Sequence, residues 1–197
     1  MPKKLMIFID GQNLLYGCKG FDKNFKFDID KLVQTLTSLE QDCELVEVFY
    51  YSSIKPPIEG EKDDEERYRR QQSFYERLKY KYQVFIKKTK MKEIKCRLCG
   101  KTFLEPKEKG IDVAIATDFL LYGLVGEYDV AIIVSGDSDL APVIKKLRDR
   151  KPSLRIYIAQ FRHMVGVELR QAVHKFFELD ELAKKFKIEN EQIVIGG

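Results

Sequence analysis

Residues 130–140 read VAIIVSGDSDL. Five apolar residues end at Ser135–Gly136, and two acids, Asp137 and Asp139, follow at once. A short apolar run that stops at small polar residues reads as a buried strand. Carboxylates one residue apart repel each other and resist desolvation, so something must offset that cost at the strand end. The choices are helix capping, a metal ion, or exposure to water.

The same alternation of short apolar runs and helical patterns extends in both directions. KLMIFID (4–10), ELVEVFYYSS (44–53), YQVFIKK (82–88) and LRIYIAQ (154–160) read as further strands. DIDKLVQTLTSLEQD (28–42) spaces Ile29, Leu32, Val33, Leu36 and Leu39 as one helical face, with Asp28 or Asp30 as its cap. Residues 61–80 fit a long exposed helix, and GIDVAIATDFLLYGLVGEY (110–128) is apolar nearly all round, as a buried helix would be. In LAPVIKKLRDR, Pro142 suits only a first helical turn, which places the cap at Ser138 or Asp139. VELRQAVHKFFELDELAKKF (167–186) reads as one or two closing helices, and the tail ENEQIVIGG as frayed or as an edge strand.

Strands alternating with helices predict an α/β fold around a mainly parallel sheet, as one domain over 1–187 with a basic insertion at 87–109 and a tail at 188–197. Ligands of such sheets sit beyond the carboxyl ends of the strands. Asp10 and the Asp137/Asp139 pair both fall there. In FIDGQN, Gly11 permits a tight turn and Asn13 adds an amide. In KGIDVAIATD, Asp112 opens the buried helix, where the dipole alone would favour it. Asp118 lies on a mostly apolar stripe and needs a partner or a route to water. Acids converging on one crevice without a basic partner suit Mg²⁺ or Mn²⁺, which prefer oxygen ligands.

FIDGQN, KGIDVAIATD and IIVSGDSDLAPVIKKLR together resemble the three signatures of NYN domains of the LabA-like group, in the PIN-like nuclease superfamily. The resemblance spans roughly residues 4–180. It implies a Rossmann-like PIN fold and a divalent-metal endoribonuclease that cleaves RNA through a metal-activated water. It further implies Asp10, Asp112 and Asp137 as metal-site acids, Asp139 as a fourth catalytic acid or water-orienting group, and Asn13 as a polar neighbour contacting substrate.

The net charge is +4, yet residues 87–109 hold nine Lys and Arg against three Glu, so the rest of the chain is net negative. That asymmetry points to a polyanion, and the resemblance implies RNA, single-stranded RNA being favoured. Lys88, Lys95, Arg97 and Lys101 are phosphate contacts of choice in the segment, with Phe103 available to stack on a base. Lys109 should sit at the rim of the acidic pocket. The arginines of 61–80 alternate with glutamates and read as a solvated face with ion pairs. Cys96 and Cys99, in CRLCGKTF, have the spacing of a zinc knuckle but are half the ligands a structural zinc needs. Zinc is therefore not expected in a monomer, whereas a zinc shared by a homodimer stays open. No segment suits a membrane, so the expected setting is cytoplasmic.

Two other readings compete. A non-catalytic RNA-binding module or protein scaffold would keep the fold and basic loop, although clustered acids gain it nothing near phosphate. A haloacid-dehalogenase-type phosphatase wants an acid two positions after Asp10, where Gln12 stands.

Overall fold

The computed structural model describes residues 1–58, 60–107 and 110–188, with 104–107 described for the backbone alone. Its centre is a parallel sheet of six strands. β1 (Lys3–Asp10) pairs with β2 (Cys43–Ile54) on one side and with β6 (Val130–Val134) on the other. β3 (Gln83–Lys88) extends the sheet beyond β2, and β7 (Arg155–Gln160) and β8 (Lys175–Glu178) extend it beyond β6. The order is therefore β3-β2-β1-β6-β7-β8. The remaining strands, β4 (Lys90–Lys95) and β5 (Thr102–Lys107), form a separate antiparallel hairpin.

Alternation along the strands decides which helix covers which face. Leu5, Ile7 and Ile9 of β1 and Val130, Ile132 and Val134 of β6 point to one side. There α1 (Gly11–Phe21), α2 (Ile29–Ser38), α3 (Lys62–Lys79) and α7 (Leu179–Phe186) supply Leu14, Leu32, Leu78 and Phe186. Met6, Phe8, Ala131 and Ile133 point to the other side, against α4 (Ile111–Val125), α5 (Ala141–Arg150) and α6 (Val167–Ala172). Each fully buried aliphatic side chain contributes about 1.5–3 kcal/mol relative to exposure. Shifting β1 by one residue would exchange its two faces, so register is strongly specified.

Three expectations change. The 167–186 stretch is not wholly helical: β8 lies between α6 and α7, pairing Ile158 with Phe176 and Ala159 with Phe177. Four residues are too few for a period of 2 to stand out from one of 3.6. The chain after Asp10 does not make a turn but enters α1 directly, with Asp10 as N-cap. Gly11 answers to packing instead, because a Cβ there would lie 2.3 Å from the Tyr50 hydroxyl. Finally, neither Ser138 nor Asp139 caps α5. Asp137 caps a short 3₁₀ turn, Ser138–Leu140, and α5 follows from Ala141 with Pro142 in its first turn. Asp28 is the cap of α2, accepting from Lys31 N at 3.1 Å. The tail from 189 onward lies outside the described residues.

Asp118 on α4 receives the Tyr51 hydroxyl of β2 at 2.8 Å, which supplies the partner its apolar surroundings require. Burial, then the neighbouring carboxylate, raises the Tyr51 phenol far above its usual range, so the hydroxyl stays a donor. Tyr51→Phe should cost about 1–2 kcal/mol, the net worth of a hydrogen bond to a charged acceptor that can partly rehydrate. Urea denaturation reads that loss, and an unchanged midpoint would show that water replaces the phenol fully.

Candidate active site at the sheet switch point

β1 and β6 are the neighbours from which the chain turns in opposite directions across the sheet, so a crevice opens at their carboxyl ends. Asp10 ends β1 there as a residue only 5% exposed. Its Oδ1 accepts from Asn13 N at 2.9 Å, capping α1, and its Oδ2 lies 3.5 Å from Ser135 Oγ. That same hydroxyl accepts from Asp137 N at 3.2 Å. One buried serine thus ties the two strand-end acids together. Asp137 is half-buried, and its Oδ1 accepts from Asp139 N at 2.9 Å. Asp139 is exposed at that mouth.

Asn13 is the joint of this arrangement. Its Oδ1 accepts from Gly136 N at 2.8 Å and from Gln160 Nε2 at 2.7 Å, joining α1 to the loop after β6 and to the end of β7. Gln160 is fully buried, and its Oε1 accepts from Phe161 N at 2.9 Å. The side-chain oxygen of Asn13 therefore holds the acidic loop in place.

Asp112 comes from another element, exposed in the first turn of α4, a helix that packs against the 3₁₀ turn carrying Asp139. Among the described residues, no three His, Cys, Asp or Glu side chains are gathered closely enough to hold a metal ion. Lys109 lies outside the described residues. Lys87, near the end of β3, reaches the start of α4: a Cβ on Gly110 would lie 2.8 Å from its Nζ. Lys88, Lys95, Arg97 and Lys101 are exposed along β3 and the hairpin. Neither histidine joins the acids. His163 lies against Gly20 of α1, and His174 Nδ1 accepts from Ile156 N at 3.1 Å near the amino end of β7.

A cleft of about 290 Å³ opens beside Gly11, one residue from Asp10. Gln12 of α1, Tyr50 of β2, and Arg67, Arg70 and Phe74 of α3 form its walls with Phe27. Gln12 is fixed by donating to Ser53 O at 3.0 Å. Ion pairs of Arg67 with Asp64 and of Arg70 with Glu66 are present, as the charge pattern of α3 suggested, yet both arginines also face this cleft. The signal was the spacing 67, 70, 74, which puts two cations and an aromatic ring on one helical face.

The sheet order thus brings a buried acid, Asp10, and a half-buried one, Asp137, to the switch point of a parallel α/β sheet. The chain belongs to the NYN domain family, whose sequence profile matches residues 4–180. It is 27% identical over 183 residues to the low amplitude and bright protein LabA of Synechococcus elongatus, covering 92% of this chain and 86% of that one. A protein of unknown function from Vibrio parahaemolyticus shares the fold with a TM-score of 0.65 at 20% identity, over 95% of this chain and 97% of the other. A looser overlap, TM-score 0.43 at 14% identity over 79% and 55% of the two chains, is found with a zinc-bound T5 5'-exonuclease. Among the described residues no helix is long and apolar enough to cross a membrane.

Proposed function

We propose that this chain is a cytoplasmic endoribonuclease that cleaves single-stranded RNA with the help of Mg²⁺ or Mn²⁺. The observation that carries the proposal is the buried Asp10 carboxylate, joined through Ser135 to Asp137 at the switch point of the sheet. Membership of the NYN family supports a nuclease-type hydrolase.

The donor set suits a hard cation in kind: Asp10 and Asp137 would hold it, and Asp112 would have to swing in from α4 to complete the carboxylates. A divalent ion supplies there a water of lowered pKa and charge neutralisation on the phosphate. The protein's own groups set the stage. Ser135 and Asn13 keep the two strand-end acids in register. Asp139, at the mouth, can orient a water toward the phosphate. Lys87, beside Gly110, offers a point charge to a phosphate oxygen.

The cleft beside Gly11 suits a base splayed from a single strand, with Phe74 as the stacking surface and Arg67 and Arg70 near the flanking phosphates. Stacking is worth about 1–3 kcal/mol per base, so Phe74→Ala should weaken RNA binding by about 5–150-fold. Measured with EDTA present, that loss is separate from cleavage; unchanged affinity would remove the cleft from the RNA path.

Labelled single-stranded RNA incubated with Mn²⁺ and with EDTA tests the activity. Cleavage that requires the metal supports the nuclease. Salt-sensitive binding without cleavage would overturn it in favour of an RNA-binding module.

A further inference from the structure

Cys96 and Cys99 occupy the tip of the β4–β5 hairpin, the one pair of cysteines with knuckle spacing in the sequence. Lys95 pairs with Thr102 at the last rung, and the turn between them is tightly closed. Cys96 N donates to Lys101 O at 2.8 Å, and Gly100 N donates back to Cys96 O at 2.9 Å. Gly100 has φ +68°, the left-handed conformation that lets a chain double back after the second cysteine.

Two thiols are half a tetrahedral zinc site. Among the described residues no further cysteine or histidine joins them. Cys18 is fully buried in the core. Cys43 begins β2, at the amino end of the sheet, whereas the hairpin leaves from the carboxyl end of β3. His174 lies near the amino end of β7, and His163 follows β7, four places from β3 across the sheet. At about 4.8 Å per strand that is roughly 19 Å. The cysteines follow the six residues of β4, about 20 Å of extended chain.

The tip is also built to be covered. Leu98 is 99% exposed between the cysteines, and Phe103 beside them is 51% exposed. Around them, residues 90–101 hold five Lys and Arg against one Glu. Two such tips would repel each other if brought together bare. Four thiolates on one Zn²⁺ leave a net charge of −2, which turns the same basic rim from an obstacle into a stabilising shell.

We propose that Cys96 and Cys99 are one half of a structural zinc site whose other half is the same pair in a second copy of this chain. A two-fold axis through the metal supplies four equivalent thiolates and lays the Leu98 and Phe103 of each hairpin against its mate. The site is incomplete in one chain, so the zinc and the dimer form together. This does not depend on the nuclease reading, because the hairpin tip and the acidic crevice share no residue.

The test uses the full chain purified under reducing conditions with zinc supplied. Metal analysis should give one zinc per two chains, and light scattering during size exclusion should give a dimer. Replacing zinc with Co²⁺ should produce the visible bands of a tetrahedral tetrathiolate. Chelation, or the double variant Cys96→Ser/Cys99→Ser, should return a monomer with unchanged far-ultraviolet circular dichroism, self-association falling by at least about 100-fold. Cys43→Ser should keep both zinc and dimer. One zinc per monomer, no zinc at all, or a dimer that survives loss of both cysteines would each overturn the proposal.

Discussion

Asp10→Asn should lower RNA cleavage by about 10³-fold while leaving the fold nearly as stable as before. Carboxylate assistance through a bound cation is worth several kcal/mol of transition-state stabilisation, and each 1.4 kcal/mol is about tenfold in rate. Asn differs from Asp here in the one property that matters for the proposal, its charge. Its side-chain oxygen can still accept from Asn13 N and cap α1, and Asn and Asp are equally good caps. Asp10→Ala removes charge and cap together and should add about 0.5–2 kcal/mol of destabilisation. Comparing the two variants by single-turnover cleavage and by thermal unfolding separates chemistry from capping. An Asp10→Asn protein that cleaves at the wild-type rate would remove this carboxylate from the reaction. Loss of activity in step with loss of stability would reduce Asp10 to its role in starting the helix.

The sequence made the site's location legible and left part of its construction hidden. Asp10 and Asp137 could be placed at strand ends because the apolar runs before them are five or more residues long and end abruptly. A parallel sheet then brings those ends together, whatever the details. Asp139 misled because a first-turn proline marks where a helix begins without showing what precedes it. Here a 3₁₀ turn intervenes, and Asp137 does the capping. β8 was missed because four residues at a sheet edge carry too little periodicity. The wall of α3 was missed for a different reason. Its arginines do pair with neighbouring acids, so local charge pattern explained them, and only the packing of α3 against β2 and β3 shows the cleft they also line.

Asn13 shows most clearly what a sequence cannot display, since its partners are 123 and 147 residues away. The resemblance implies it as a polar neighbour contacting substrate, and its side-chain oxygen is engaged by Gly136 N and Gln160 Nε2. Asn13→Ala would leave two donors without their acceptor in a buried setting. Each such loss costs about 1–3 kcal/mol, so about 2–6 kcal/mol is expected in sum, seen as a fall of roughly 4–24 °C in the thermal midpoint. Cleavage should fall as well, because the freed loop carries Asp137. Asn13→Asp is the informative companion. A carboxylate there can still accept both hydrogen bonds, so most of the stability should return. It also adds a negative charge next to Asp10, which raises the cost of ionising that buried acid and opposes its action near neutral pH. The aspartate variant should therefore be stable yet slow, regaining rate as pH rises. If instead both variants keep wild-type stability, water enters the joint and Asn13 does not hold the loop. If the aspartate variant is stable and fully active at neutral pH, the charge state of Asp10 is not what limits the reaction.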